Sequence, residues 1–149
     1  MTGIVRHAFH MWFRIARPLT GGVRVVVLEG DRVLLVRHTY TPGLYLPGGG
    51  VEVGETFEEA ARKELREEAT LEPSGPLELF GLYLNRTVTN RDHVALYVCR
   101  AFERGAFTPN REIAEIGFHP VDALPDDTTA ATRRRVAEVI EGRPAAPYW

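Results

Sequence analysis

The sequence predicts an α/β fold in which one mixed β-sheet is held between helices. Three observations carry that expectation. β-Branched runs at residues 22–28 and 32–37 read as strands. Two long helical patterns, one from Thr56 to about Ala69 and one from Thr128 or Thr129 through Ile140, interrupt the extended segments, which argues against an all-β sandwich. A length of 149 residues suits a single domain with a substantial core and leaves no room for a second catalytic domain.

The elements follow in order. Residues 4–16, carrying Phe9, Trp12, Phe13 and Ile15 and stopped by Pro18, fit a short amphipathic helix, either a cap packed on the domain or a membrane-surface or dimer segment. Glu29-Gly30-Asp31 joins the first two strands as a tight hairpin. Pro42-Gly43 and Pro47-Gly48-Gly49-Gly50 bracket Leu44-Tyr45-Leu46, so this stretch reads as a loop and short strand followed by a bend that glycine permits. Thr56 with Glu59 forms a capping-box pattern, and Pro73, Gly75 and Pro76 forbid a long continuation of the helix. Residues 77–88 and 93–102 read as extended around a turn at 89–92, and Asn110 to Glu115 as a polar connection before a short strand at 116–119. In the last helix Ala130, Val136, Val139 and Ile140 are the candidate packing positions. A proline-rich tail over 142–149 belongs to the same unit, with Trp149 either packed back on the body or frayed.

Eighteen basic against twenty acidic residues give no large positive field, so nothing in the composition argues for a nucleic-acid partner. One cysteine, Cys99, cannot make an internal disulfide and reads as a small apolar strand residue. Without a signal-peptide pattern or an apolar run approaching 18 residues, the expected location is cytoplasmic, with no transmembrane partner; a homodimer stays open.

The helix at 56–69 is the informative feature. With Phe57 at zero on a helical wheel, Ala61 falls near ~40° and Leu65 near ~80°, while Glu64, Glu68 and Glu67 fall near about −20°, 20° and −80°. Three carboxylates therefore overlap the apolar arc, and Arg62, Arg66 and Glu59 take the opposite one. Glu64 and Glu68 lie one turn apart with Glu67 beside them, so repulsion and desolvation destabilise the fold unless cations or water compensate. A charge run on a solvated face is the bland alternative. An oxygen-seeking divalent ion compensates more fully, Mg²⁺ first and Mn²⁺ as a substitute. Gly48, Gly49 and Gly50 set closely approachable backbone beside that face, which suits a phosphate chain.

From Gly49 through Glu55, and on through Lys63-Glu64-Leu65-Arg66-Glu67-Glu68-Ala69-Thr70-Leu71, the chain resembles the Nudix hydrolase signature. Gly49, Glu55, Glu64, Leu65, Glu67, Glu68 and Leu71 match by type, whereas Lys63 stands where the family has Arg and Thr70 where it has Gly. Lys63 keeps the charge but loses the guanidinium fork, so its contact to Glu55 or nearby backbone should be less directional. Thr70 enters the left-handed region less readily than glycine, so the helix is expected to run on briefly or close in another turn.

The resemblance implies a Nudix-like α/β/α sandwich over most of the domain and hydrolysis of a phosphoanhydride in a nucleoside diphosphate derivative or other nucleotide. By carry-over, Glu64, Glu67 and Glu68 are metal ligands and candidate catalytic residues, with Mg²⁺ neutralising the phosphates and orienting or acidifying water. A later loop supplies a further base in some members; here Glu112 is the first candidate and Glu115 the second. Glu52 and Glu55 are expected to shape the loop, with Glu52 also open as an outer ligand. Arg37, and less so Arg24, are candidates to meet phosphate, and Gly48, Gly49 and Gly50 to line it. His38 and His93 lack the convergent His/Cys cluster of a zinc site. The competing class is a noncatalytic nucleotide-binding regulatory module.

Overall fold

The computed structural model describes residues 18–149 together with Met11, Trp12 and Ile15. Those three are helical and exposed, and the rest of the helix expected over 4–16 lies outside the described residues. Seven strands and two helices follow: β1 (Thr20–Glu29), β2 (Arg32–His38), α1 (Phe57–Ala69), β3 (Leu71–Pro73), β4 (Glu78–Leu84), β5 (Asp92–Cys99), β6 (Phe102–Arg104), β7 (Ile113–Pro120) and α2 (Ala130–Glu141).

Five strands make one sheet in the order β4-β5-β1-β2-β7. It is mixed, because β1 runs parallel to β5 while the other neighbours are antiparallel. Alternation along β1 sends Val23, Val25 and Val27 to one face, where they pack with Ala60, Ala61 and Leu65 of α1. Val26 and Leu28 go to the other face, with Val136 and Val139 of α2. The expected α/β/α sandwich is what forms.

The hairpin turn sits at Gly30, whose φ of 60° favours a residue without Cβ. Yet β1 and β2 pair only next to that turn, at Leu28 with Val33 and Glu29 with Arg32. Beyond it they part, and residues 44–51 fill the gap. Val25 and Val23 of β1 donate to the carbonyls of Pro47 (2.9 Å) and Gly49 (2.8 Å), and Val36 of β2 exchanges both backbone bonds with Tyr45. The glycine loop is thus hydrogen-bonded into the sheet rather than lying over it.

Helix α1 begins as expected, with Thr56 and Glu59 satisfying each other's backbone N–H groups. Its end departs from expectation. Thr70 does adopt the left-handed conformation, at φ 52° and ψ 38°, and caps the carbonyls of Arg66 and Leu65. The Thr70 carbonyl accepts the Gly105 N–H at 2.7 Å, and Leu71–Pro73 pairs with Phe102–Arg104 in a separate two-stranded ribbon, so tertiary pairing imposes a backbone that threonine disfavours. That ribbon divides the extended segment expected over 93–102, and β7 starts at Ile113, which places Glu115 in a strand rather than in the polar connection.

On α2, Thr129 is the N-cap and Val136 and Val139 are buried, but Ala130 and Ile140 face outward. Their place on the inner arc is taken by Thr132, Arg135 and Glu138. Arg135 Nη2 donates to Glu138 Oε1 at 2.9 Å and Tyr83 OH to Glu138 Oε2 at 2.8 Å, so each buried charge is compensated. The tail packs rather than frays: Trp149 meets Tyr83 edge-on with ring centroids 5.4 Å apart, and its N–H donates to Leu84. Cys99 is buried and unpaired, as expected of a strand residue. Among the described residues no helix is long and apolar enough to cross a membrane.

Candidate active site

The parted hairpin fixes what the acidic helix faces. A Cβ on Gly48 would collide with the backbone carbonyl of Val23, so only glycine lets the loop lie this close to β1. From there the Gly48 N–H donates to Glu68 Oε2 at 2.9 Å. On the opposite side of the same residue, its carbonyl accepts from Arg24 Nη1 at 2.7 Å, and Arg24 also reaches the Leu46 carbonyl at 3.2 Å. The sequence carried a sign of this brace: a lone arginine on the inward face shared with Val26 and Leu28 needs a buried acceptor.

Glu64, Glu67 and Glu68 form one wall of a cleft of about 370 Å³, and Asn110, Arg111, Glu112 and Ile113 form the other. The four candidate catalytic acids are therefore brought to one cavity. Glu68 is buried, and that desolvation pushes its carboxyl up to about 7 against the opposing pull of the Gly48 N–H. Burial, then the neighbouring Glu67 charge, also raises Glu64. Among the described residues neither the Glu64 nor the Glu67 carboxylate has a hydrogen-bond or ion-pair partner. A Cβ on Gly49 would run into the Glu64 carboxylate, so the second glycine gives that side chain its room.

Charge in the cleft is strongly one-sided. Arg111 is the basic residue among its lining side chains. Both the Glu112 and Ile113 N–H groups donate to Asn110 Oδ1 at 2.8 Å, an Asx turn that presents Glu112 opposite α1. Thr39 N donates to the Glu112 carbonyl at 2.8 Å and ties that turn to the end of β2.

Other candidates stand outside the cleft. Arg37 extends to the α2 face, where it pairs with Glu115 at 3.1 Å and Asp127 at 2.7 Å, so the structure does not bring it or Glu115 to the acids. His38, next in β2, faces the acidic side instead. Its buried Nδ1 lies 3.8 Å from Glu68 Oε1, beyond hydrogen-bond range, and burial lowers the imidazole pKa. The His93 ring nitrogen Nδ1 lies 3.3 Å from the Arg91 carbonyl. Lys63 bonds to Glu55 at 3.0 Å and approaches Glu52 at 3.4 Å, while Glu55 also accepts the Glu52 N–H. The expected contact of Lys63 to Glu55 is therefore made, and these groups brace the loop entering α1.

The donor set suits a hard divalent cation: several carboxylates, two of them unpartnered among the described residues, in a half-buried space where burial, and less so neighbouring negative charge, raises Glu64 and Glu68. Among the described residues, no three His, Cys, Asp or Glu side chains are yet drawn close enough to enclose an ion.

Together these features define a class, an α/β/α sandwich whose inner helix turns carboxylates toward a glycine loop locked into the sheet. The chain belongs to the Nudix family, whose NUDIX domain model matches residues 18–139. An ADP-ribose pyrophosphatase of Methanocaldococcus jannaschii is 38% identical over 72 residues, 46% of this chain and 42% of that protein. This chain spans about two fifths of the length of the curated relatives it matches. A MutT Nudix hydrolase from Burkholderia pseudomallei shares the fold with a TM-score of 0.71 at 23% identity, covering 82% of this chain and 98% of that one. A MutT protein from Bacillus halodurans does so with a TM-score of 0.72 at 19% identity, covering 85% of each.

Proposed function

We propose that this protein is a Mg²⁺-dependent pyrophosphohydrolase that cleaves a phosphoanhydride in a nucleoside diphosphate derivative or other nucleotide. One observation carries the reading: Glu64, Glu67, Glu68 and Glu112 line a single cleft against a glycine loop, with two of the helix carboxylates unpartnered. Glu64, Glu67 and Glu68 are the residues that would hold Mg²⁺, with Mn²⁺ a substitute of the same oxygen preference. When bound, the cation polarises phosphoryl oxygens and lowers the pKa of the attacking water.

The chain's own groups supply the rest. Gly49 and Gly50 leave backbone free of side chains beside the acids for the diphosphate, Gly48 being buried between β1 and Glu68, and Arg111 on the facing wall is available to neutralise an outer phosphate oxygen, Arg37 being held by Glu115 and Asp127. Glu112, exposed and free of metal-helix geometry, takes the proton of the attacking water as general base.

The test is a turnover screen with Mg²⁺ and Mn²⁺, in which both products are identified. ADP-ribose comes first, because the Methanocaldococcus jannaschii relative carries that substrate in its name; nucleotide sugars, nucleoside triphosphates and dinucleotides follow. The expected result is metal-dependent release of two phosphate-bearing products from at least one of them. Metal-dependent binding with no turnover across the panel would replace this reading with a regulatory nucleotide-binding module.

A further inference from the structure

On the α2 side of Gly48 lies a second cavity, about 280 Å³. Its floor is Arg24, Tyr45 and Leu46, and Thr132 and Trp149 are among its walls. The Gly48 residue separates it from the acidic cleft: the N–H points to Glu68 in the one, and the carbonyl to Arg24 in the other. The two cavities thus meet at the two backbone polar groups of one residue.

The wall containing Trp149 is built at some cost. Arg135 and Glu138 are 1% and 5% exposed, and a charge pair so placed is a weak source of stability in itself. Beside the bond that Tyr83 gives Glu138, their side chains bond to the segment Ala145–Trp149. Arg135 Nη1 donates to the Tyr148 carbonyl at 2.9 Å, and Glu138 Oε1 accepts the Ala146 N–H at 3.3 Å. Leu84 donates to the Pro147 carbonyl at 2.9 Å and accepts from Trp149 at 3.2 Å, so the segment is paired to the end of β4. Arg134 adds a bond to the Trp149 carbonyl at 3.2 Å. The indole is thereby held between Tyr83 and the cavity.

We infer that Ala145–Trp149 forms the wall of a base pocket and that Trp149 is a specificity-determining residue, the surface on which the nucleobase of the substrate packs. The inference rests on the phosphoanhydride reading for the substrate's placement. Its chemistry is that of a neutral aromatic ring system. The lining offers Tyr45 and Trp149 for stacking, Asn85, Thr87, Thr129 and Thr132 for hydrogen bonds to ring edges, and, among the described residues, no acidic side chain to repel a nucleotide.

The deciding measurement needs neither metal nor turnover. In a Trp12→Phe protein Trp149 is the sole tryptophan, and its fluorescence is titrated with AMP and with ribose 5-phosphate, which lacks the base. The expected result is a saturable change with AMP and at least tenfold weaker binding of ribose 5-phosphate, the scale of one lost base–aromatic stack. Calorimetry should show Trp149→Ala weakening AMP about tenfold and Trp149→Phe recovering most of it, with KM rising and kcat little changed for a cleaved nucleotide. Equal affinity for AMP and ribose 5-phosphate, or no AMP-dependent change at Trp149, would overturn the inference without reliance on any variant at that position. AMP binding through Trp149 in a protein that cleaves nothing would overturn the hydrolytic reading and leave the pocket in place.

Discussion

Gly48 and Gly49 are neighbours with different duties. At Gly48 an added Cβ meets backbone, and φ is 149°, so neither the strand nor the loop can yield cheaply. Gly48→Ala is expected to destabilise the fold by roughly 2 kcal/mol, read as a lowered denaturant midpoint. At Gly49 the three atoms nearest the added Cβ all belong to the carboxylate end of the Glu64 side chain. Gly49→Ala should therefore fold almost normally while displacing a ligand carboxylate, with turnover down about tenfold; a stable, fully active variant would contradict the role given to Glu64. Across the cleft, Glu112→Gln should slow single-turnover chemistry by about 10²-fold at full substrate occupancy. Glu115→Gln is the matched control, because Glu115 is engaged with Arg37 on the other face. Loss in Glu115→Gln alone would reverse that assignment.

Helix α1 shows what local sequence can and cannot announce. Its start was legible, since Thr56 and Glu59 need only each other, and its acidic face was legible because helical spacing alone brings Glu64, Glu67 and Glu68 together. Its end was not. Three-residue strands β3 and β6 leave no periodic signal, yet their pairing, together with the Gly105 bond, holds Thr70 in the left-handed region. That conformation costs a β-branched residue about 1–2 kcal/mol relative to glycine, part of which glycine returns through its freer unfolded state. Thr70→Gly should consequently raise stability by about 0.5–1 kcal/mol and the melting temperature by about 2 °C, measured by calorimetry. An unchanged or lower melting temperature would mean that the Thr70 side chain contributes more than its strain costs. The inner arc of α2 was misread for a different reason: counting apolar positions cannot see that Arg135 and Glu138, three residues apart, neutralise each other against Tyr83.

Across the molecule, a mixed sheet covered on both faces was readable from alternation and from helices that interrupt strands, whereas the strand order, with β1 parallel to β5, was not. The parting of β1 from β2 was not, because a tight turn between β-branched runs reads as a hairpin paired along its whole length. That parting makes the site: it admits residues 44–51 to the sheet and sets Gly48 between Arg24 and Glu68. It also explains Arg37, which alternation in β2 turns toward Asp127 and away from the acids. The proposed function has the helix carboxylates serve a divalent cation that phosphoanhydride cleavage requires. It is tested most directly by measuring hydrolysis of ADP-ribose as a function of Mg²⁺ concentration for the native protein and for Glu68→Gln, with circular dichroism to verify that both are folded. Saturable activation by Mg²⁺, abolition by a chelator, and a loss of roughly 10²-fold or more in the variant are expected. Equal rates in the two folded proteins with the same Mg²⁺ dependence would contradict it.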